Sequence, residues 1–467
     1  MSLRDPSWWL QVGFIGYFVA LNGGYLVLNL LSMLSLRRYM NRRGGEGDPR
    51  YLGVEPPVSL LVPAYNEEAT IRTSVRSMLQ LQYPEFELVV VNDGSGDDTL
   101  RMLVEEFDLV PHPEPIRRTL PHADVRGVYR SRKHANLRVV DKANGGKADA
   151  LNAGINAARN SLFCAVDADS ILQRDSLLRV VQPFLDDERT IAAGGTVRIA
   201  NGSRVRGGFL ESAGIPRGWL ARFQIVEYLR AFLFGRLGWS PMNAVLIISG
   251  AFGLFDRARV IAAGGYRHDT VGEDMELVVR LHRYHRERGI PYRIRYVPDP
   301  ICWTEAPEDA GTLGRQRSRW QRGLSESLGR HAGWALGRHG GPPGWLAWPF
   351  MALFEWLGPL VELAGYGFML AGFAFGLVSP LALVVFLSAA IGMGIMLSVN
   401  GLLLEALSFR VYARKRDILL LLGVAVLENF GYRQANTLWR CRGLWQWATR
   451  RKQRWGAMKR SGQWGQG

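Results

Sequence analysis

Two long apolar tracts, at residues 8–34 and about 345–438, constrain the fold of this chain most strongly. About 20 consecutive apolar residues are needed to cross a bilayer, and the stretch between the two tracts has the composition of a soluble protein. The sequence therefore predicts four parts. They are a transmembrane anchor (1–40), a soluble domain (55–330), transmembrane or interfacial helices (345–438) and a basic tail (439–467).

The charge pattern predicts the orientation of these parts. Four arginines between residues 37 and 43 follow the first tract, and positive residues favour the cytosolic side of a membrane span. We therefore expect a multi-pass protein of the inner membrane with its soluble domain in the cytosol.

Much of the net charge of +15 lies beside the apolar tracts, at 410–416 and 440–460. Such clusters bind anionic lipid headgroups, so the expected partner is the lipid bilayer and not nucleic acid.

The C-terminal tract divides into two predicted crossings, at residues 346–378 and 381–408. Residues 417–438 are continuously apolar only as far as Glu428, which is too short a run for a full crossing. We expect a re-entrant or interfacial element there, and the exact number of crossings stays open.

The soluble part predicts an α/β fold with a mostly parallel sheet. Strands at 58–62, 87–91, 137–140 and 162–166 alternate with helical patterns, as in sheets that are covered on both faces. Ligands of such sheets bind beyond the carboxyl ends of the strands. The polar insert at 109–136 shows no clear periodicity.

Two later segments are less regular. Residues 224–237 predict an amphipathic helix, for which packing in the core and binding at the membrane surface are both open interpretations. Residues 245–255 predict a buried strand interrupted by small residues, which suits close approach to a ligand or to another chain.

A helix start and an acidic pair carry the first chemical signal. Asn144-Gly-Gly-Lys147 opens a helix, where backbone N–H groups and an ammonium suit a phosphate. Asp167 and Asp169 follow an apolar strand, and alternation along an extended segment points both carboxylates to one side. Mg²⁺ commonly takes one or two carboxylates together with substrate phosphates. At the end of the second strand, Asp93 suits hydrogen bonds to a nucleoside, although turn chemistry also explains it.

Two further motifs carry groups that suit proton transfer and ligand binding. Asp274 lies in the first turn of a predicted helix, where it is either a cap or a base for an incoming hydroxyl. One helical face carries an indole, a guanidinium and an amide, through residues spaced by three or four positions. Stacking on a sugar and binding a diphosphate is one interpretation of that face, and a cationic membrane helix is the other. Its members are Gln316, Arg319, Trp320 and Gly323.

The order of these motifs resembles that of membrane-integrated, processive family 2 glycosyltransferases with the GT-A fold, such as cellulose, hyaluronan and poly-N-acetylglucosamine synthases. The motifs are Pro-Ala-Tyr-Asn-Glu-Glu, Val-Asn-Asp-Gly-Ser, Gly-Gly-Lys, Asp-Ala-Asp, Gly-Glu-Asp and Gln-Arg-Ser-Arg-Trp, and they span about residues 55–330. Gln-x-x-Arg-Trp is the most specific of them, because it marks the processive branch.

The resemblance implies a role for each donor-site residue. Ala64, Tyr65 and Glu67 are expected near the uridine of a UDP-sugar. Asp93 is expected to contact the base or the ribose, and Lys147 to belong to the donor-binding loop.

The resemblance also implies where transfer takes place. Asp167 and Asp169 are expected to bind the diphosphate and its Mg²⁺ or Mn²⁺, and Asp274 to be the catalytic base. Residues 249–253 match the position of the acceptor-lining motif. Three residues are expected to bracket the diphosphate and the acceptor end, namely Gln316, Arg319 and Trp320.

The implied function is inverting transfer from a UDP-sugar, UDP-N-acetylglucosamine or UDP-glucose, to a growing polysaccharide. Secretion across the membrane with accessory proteins would suit such an enzyme. One alternative is a non-processive transferase that places one sugar on a lipid carrier. Another is a catalytically silent membrane scaffold. The sequence leaves the sugar, the linkage and the acceptor open.

Overall fold

The computed structural model describes residues 6–43, 53–412 and 414–450. Its centre is a ten-stranded mixed sheet covered by helices, and a separate two-stranded hairpin (β9 and β10) lies beside it. The strands are β1 (Val58–Ala64), β2 (Phe86–Asp93), β3 (Leu109–Pro111), β4 (Val125–Ser131), β5 (Leu137–Lys142), β6 (Leu162–Val166), β7 (Ile171–Leu172), β8 (Thr190–Ile199), β9 (Arg204–Arg206), β10 (Phe209–Ser212), β11 (Phe252–Asp256) and β12 (Arg293–Thr304).

Fifteen helices lie in the part of the chain that the structure describes, together with a short 3₁₀ helix at Leu237–Trp239. They are α1 (Pro6–Arg43), α2 (Ile71–Met78), α3 (Thr99–Phe107), α4 (Lys147–Ala157), α5 (Ser176–Val180), α6 (Gln182–Asp186), α7 (Trp219–Leu233), α8 (Arg257–Ala262), α9 (Glu273–Glu287), α10 (Ala310–Ala335), α11 (Pro343–Trp356), α12 (Gly358–Ala374), α13 (Pro380–Ser408), α14 (Lys415–Leu427) and α15 (Tyr432–Ala448).

The strand order is β3-β4-β5-β2-β1-β6-β11-β8-β12-β7. Strands β5, β2, β1 and β6 are parallel, which confirms the predicted α/β class and its parallel core. The strands outside that core make the sheet mixed, because β4 and β11 pair antiparallel to their neighbours. Within the polar insert, β3 and β4 extend the sheet beyond β5.

The prediction of a strand over residues 245–255 is wrong for the first half of that range. Only residues 252–256 pair in the sheet, as β11, and the preceding residues run as buried irregular chain. Ile248 lies across small residues of two strands, since a Cβ on Gly194 would be 3.1 Å from its Cγ1. The Val245 carbonyl accepts a hydrogen bond from His282 Nε2 at 2.8 Å. The apolar character of this segment therefore comes from covering the sheet.

The helix predicted at 224–237 is observed as α7, and its surroundings decide between the two interpretations. Residues Ile225, Val226, Leu229 and Leu233 are buried, and α7 packs against β8 and α13. Packing in the core therefore explains the apolar face of this helix.

Among the described residues, two helices, α1 and α13, are long and apolar enough to cross a membrane. Helices α11 and α12 form a pair bent by 46°, which makes up to three spans if that pair is a single span. Helix α14 has 13 residues, and at about 1.5 Å per residue it is shorter than a bilayer core of about 30 Å. The re-entrant or interfacial placement of 417–438 stays a prediction, and the proposed boundary at 438/439 falls inside α15.

Helix α10 joins α9 to the C-terminal helices. It packs against α9 and α15, and glycines permit close approach on both sides. A Cβ on Gly443 of α15 would lie 2.5 Å from the Ser318 carbonyl oxygen, and one on Gly323 would lie 2.8 Å from Gly272 Cα. The Gln-Arg-Ser-Arg-Trp segment of α10 is thereby fixed relative to the start of α9.

Candidate active site

An open cavity of about 2020 Å³ lies at the carboxyl edge of the parallel strands, between the sheet and helices α7, α9 and α10. All eleven residues that the sequence singled out line it, although they come from six separate segments of chain. They are Ala64, Tyr65, Glu67, Asp93, Lys147, Asp167, Asp169, Asp274, Gln316, Arg319 and Trp320. The structure thus brings these residues together, and their individual roles stay predictions.

The loop after β1 forms one wall of the cavity. Tyr65 is half exposed at 50%, and Asn66 has a φ of 56°, in the left-handed region that asparagine tolerates. The Glu67 N–H donates to Thr99 Oγ1 at 2.8 Å, and the Gly96 N–H donates to Asn66 Oδ1 at 2.9 Å. The loops after β1 and β2 therefore hold each other in place.

Asp93, at the end of β2, organises the glycine loop that follows β5. Its two carboxylate oxygens accept the N–H groups of Gly145 at 3.0 Å and Gly146 at 2.7 Å. The buried ammonium of Lys142 also contacts it, and lies 2.6 Å from Asp149 on α4. Gly146 has a φ of 88°, which favours glycine. Asp93 thus shapes the start of α4, besides facing the cavity where a base or ribose is predicted.

Lys147 begins α4 and lies between two acidic motifs. Its ammonium contacts the Asp167 carboxylate, donates to the Gly250 carbonyl at 3.2 Å, and lies 4.0 Å from Glu273 Oε1. Burial acts to lower the pKa of Lys147, but the charges of Asp167 and Glu273 outweigh it and leave that pKa raised. The ammonium is therefore held in its charged form.

The Gly-Glu-Asp segment starts α9 at the same place. Asp274 Oδ2 accepts the Gly250 N–H at 3.0 Å, and Oδ1 accepts the Met275 N–H at 2.8 Å. Its neighbour Glu273 is buried. Burial raises the pKa of Glu273 above its usual range, against the attraction of Lys147. Sequence reasoning took Glu273 only as part of the motif and missed its place beside the lysine.

Trp320 presents its indole to the cavity, with 44% of the residue exposed. The guanidinium carbon of the buried Arg317 lies 4.4 Å from the centre of that ring. Glu227 of α7 holds Arg317 through an ion pair, in which Arg317 Nη2 lies 2.7 Å from Glu227 Oε2. Tyr432 of α15 donates to the same Glu227 oxygen at 2.7 Å. Three helices therefore fix the indole, and neither Glu227 nor Tyr432 carries a local sequence signal of this.

The cavity extends from Trp320 towards the membrane helices. Tyr25 of α1, Glu355 of α11 and Arg440 of α15 line this end, and Arg440 Nη2 lies 2.8 Å from Glu355 Oε2. The amide oxygen of Gln316 is buried and has no hydrogen-bond partner among the described residues. Polar groups thus line the cavity from the acidic motifs to the helices.

Asp167 and Asp169 fit the chemistry of a divalent ion that is shared with a diphosphate. Within residues 6–43, 53–412 and 414–450, no group of three or more His, Cys, Asp or Glu side chains is arranged to hold a metal alone. Mg²⁺ commonly takes one or two carboxylates and completes its coordination with phosphate and water. Asp167 already holds a cationic group, the ammonium of Lys147. The two carboxylates can therefore serve as a partial site that a nucleotide completes.

Comparison with known proteins supports the fold. PcManGT, a mannosyltransferase from Pyrobaculum calidifontis solved in complex with GDP-Man and Mn²⁺, gives a TM-score of 0.51 at 19% identity. The similarity covers 90% of this chain and 99% of that one. This likeness confirms the predicted GT-A fold.

Two curated relatives are similar in sequence. A poly-beta-1,6-N-acetyl-D-glucosamine synthase from Staphylococcus epidermidis is 29% identical over 272 residues, and one from Staphylococcus aureus (strain COL) is 31% identical over 274. Each match covers 58% of this chain and 55% of the relative, so the chain spans about half the length of the curated relatives it matches. The model of the family described as glycosyltransferase like family 2 matches residues 56–323, more than half of the sequence. This chain therefore belongs to glycosyltransferase family 2.

Proposed function

We propose that this protein transfers a sugar from a UDP-sugar to the end of a growing polysaccharide, with inversion at the anomeric carbon. The observation that carries the proposal is the shared cavity. Asp274, the Asp167 and Asp169 pair, and the helix face with Trp320 all line it. We infer that these groups act as a base, a diphosphate site and a sugar platform for one bound donor.

The reaction is a single displacement. Asp274 takes the proton from an acceptor hydroxyl, whose oxygen then forms a bond to the anomeric carbon while the bond from that carbon to the β-phosphate oxygen breaks. The N–H groups of Gly250 and Met275 hold the Asp274 carboxylate in a fixed orientation. UDP leaves with the electron pair of the broken bond.

The negative charge that develops on UDP needs positive groups already in place. Lys147 and Arg319 both line the cavity and supply such charge. Asp167 and Asp169 would hold a Mg²⁺ or Mn²⁺ ion, which would supply Lewis acidity at the diphosphate. PcManGT, which has a similar fold, was solved with a nucleotide sugar and Mn²⁺, which supports this metal dependence.

N-acetylglucosamine is the sugar we propose first, with UDP-N-acetylglucosamine as the donor. Both curated relatives are synthases of poly-beta-1,6-N-acetyl-D-glucosamine. A polymer also suits the polar extension of the cavity towards Tyr25 and Arg440. We propose that the enzyme is a multi-pass protein of the inner membrane with its catalytic domain in the cytosol. Secretion of the product, with or without accessory secretion proteins, would then begin at this end of the cavity.

Substitution of Asp274 by Asn tests the mechanism. We expect transfer to fall by at least ~10²-fold, because general-base catalysis contributes about 10²–10⁴-fold, while UDP binding stays within about twofold of the wild type. The assay measures UDP release from a panel of UDP-sugars in membranes, together with UDP affinity. The matched control is Asp269→Asn, at an exposed aspartate outside the cavity. Equal loss of transfer and of UDP binding would assign Asp274 to capping of α9.

Product length decides between the polymer and the alternatives. Mass spectrometry of the product is expected to show a ladder of N-acetylglucosamine residues. A single sugar on a lipid would support the non-processive transferase. Absence of UDP release with every donor, in the presence of Mg²⁺ or Mn²⁺, would support the silent scaffold.

A further inference from the structure

The ammonium of Lys147 bridges the two acidic motifs of the site. It contacts the Asp167 carboxylate and donates to the Gly250 carbonyl at 3.2 Å, with Glu273 Oε1 4.0 Å away. Its side chain is 15% exposed. A Cβ on Gly250 would lie 3.0 Å from Lys147 Nζ, so the absence of a side chain at this position leaves room for the ammonium.

This arrangement places the Lys147 ammonium on Asp167, the carboxylate that we propose as a metal ligand. Asp167 keeps 32% of its side chain exposed, so it is open to a solvated ion. One carboxylate oxygen that contacts an ammonium is a poorer ligand for a divalent ion, because the two cations repel each other. The Glu273 carboxyl group, whose Oε1 lies 4.0 Å away, offers the ammonium a second partner on the opposite motif.

We propose that Lys147 is a stand-in for the divalent ion: it neutralises Asp167 in the metal-free enzyme and gives up that carboxylate when the metal binds. The ammonium then turns to Glu273 and to the diphosphate of the donor. Lysine and metal thus compete for Asp167 in the free enzyme and act together on the bound nucleotide. The diphosphate part of this inference rests on the proposed function, whereas the exchange at Asp167 does not.

Competition predicts opposite effects on two ligands. In Lys147→Met, Mn²⁺ is expected to bind about 5–10-fold more tightly without nucleotide, at the lower end of typical coupling between ligands. UDP in the presence of Mn²⁺ is expected to bind about tenfold more weakly, because the phosphate loses an ammonium. A misfolded variant would lose affinity for both. The control is Lys133→Met, at an exposed lysine of the same domain.

Both affinities are measured on the full chain in detergent, Mn²⁺ by electron paramagnetic resonance and UDP by calorimetry. Tighter Mn²⁺ binding with weaker UDP binding supports the proposal. Unchanged or weaker Mn²⁺ binding in a folded Lys147→Met variant overturns it.

A second measurement uses the wild-type protein and needs no substitution. Acylation of lysine amines, followed by mass spectrometry, gives a labelling rate for each lysine, and that rate is lower when neighbouring groups bind the amine. Mg²⁺ alone is expected to raise the labelling rate of Lys147 at least ~3-fold, because the ammonium loses Asp167, and to leave Lys133 unchanged. Equal labelling of Lys147 with and without Mg²⁺ overturns the exchange. Neither measurement uses sugar transfer, so failure of the proposed activity would be recognised separately.

Discussion

Gly323 of α10 lies against Gly272, the residue just before α9, and we expect this contact to set the distance between Trp320 and Asp274. Substitution of Gly323 by Ala tests whether that distance matters. A Cβ at 323 would lie 2.8 Å from Gly272 Cα and 2.9 Å from its N. Both are backbone atoms, so a side-chain rotation cannot relieve the contact.

The size of the effect follows from these distances. Ordinary van der Waals contact begins near 3.4 Å, so α10 and the start of α9 must separate by about 0.6 Å. Overpacking of this kind costs about 1–3 kcal/mol, and a misplacement of about 1 Å in an active site costs about 10²-fold in rate. We expect kcat for sugar transfer to fall by about 10–100-fold in Gly323→Ala, with UDP affinity nearly unchanged because Lys147 and Asp167 lie outside the contact.

The matched control is Gly333→Ala, on the same helix, where an added Cβ meets nothing within 4 Å. Alanine is favoured over glycine inside a helix by about 1 kcal/mol, so this variant should be slightly more stable and fully active. The assay measures UDP release under saturating donor, together with the unfolding temperature in detergent. If Gly323→Ala were as active and as stable as Gly333→Ala, the close contact would have no part in aligning the site.

Two further predictions concern carboxylates around the cavity. Glu227→Gln removes the charge that holds Arg317 beneath Trp320, so transfer to acceptor is expected to fall about 5–10-fold relative to donor hydrolysis; an unchanged ratio of the two rates would leave the indole independent of Glu227. Glu273→Gln tests the raised pKa of Glu273. A carboxyl group whose pKa is higher in the folded state destabilises the fold as pH rises above its unfolded pKa. The variant should therefore gain in unfolding temperature over the wild type at pH 8 and lose that advantage near pH 4.5, and an advantage that does not vary with pH would contradict the argument.

The parallel core of the sheet was predictable because its signals are local. Each of its strands is a short apolar run that is followed by turn or polar residues, as after Val58–Ala64 and Leu162–Val166. The carboxyl ends of parallel strands meet at one edge, so the sequence alone predicts that Asp93 and Asp167 face one ligand.

Long-range contacts were beyond the sequence. Glu227 and Tyr432 are 205 positions apart, yet they share a hydrogen bond beneath Trp320. Nothing in the residues near either one indicates this, since a glutamate or tyrosine on a helix is equally suited to solvent. The prediction of a strand at 245–255 was wrong in its first half for a different reason. Burial makes both a strand and a covering segment apolar, and only the pairing of Phe252 with Val166 separates them.

The antiparallel direction of β11 has a consequence for synthesis. Phe252, its first residue, pairs with Val166, the last residue of β6, so the chain enters β11 at the edge where it left β6. Strands β6 and β8 are joined only through β11. A nascent chain that has not yet emerged past residue 256 therefore holds a sheet that ends at β6, while β8 still lacks both of its neighbours, β11 and β12. Nucleotide binding by ribosome-bound chains of increasing length would accordingly report the chain length at which β11 joins the sheet.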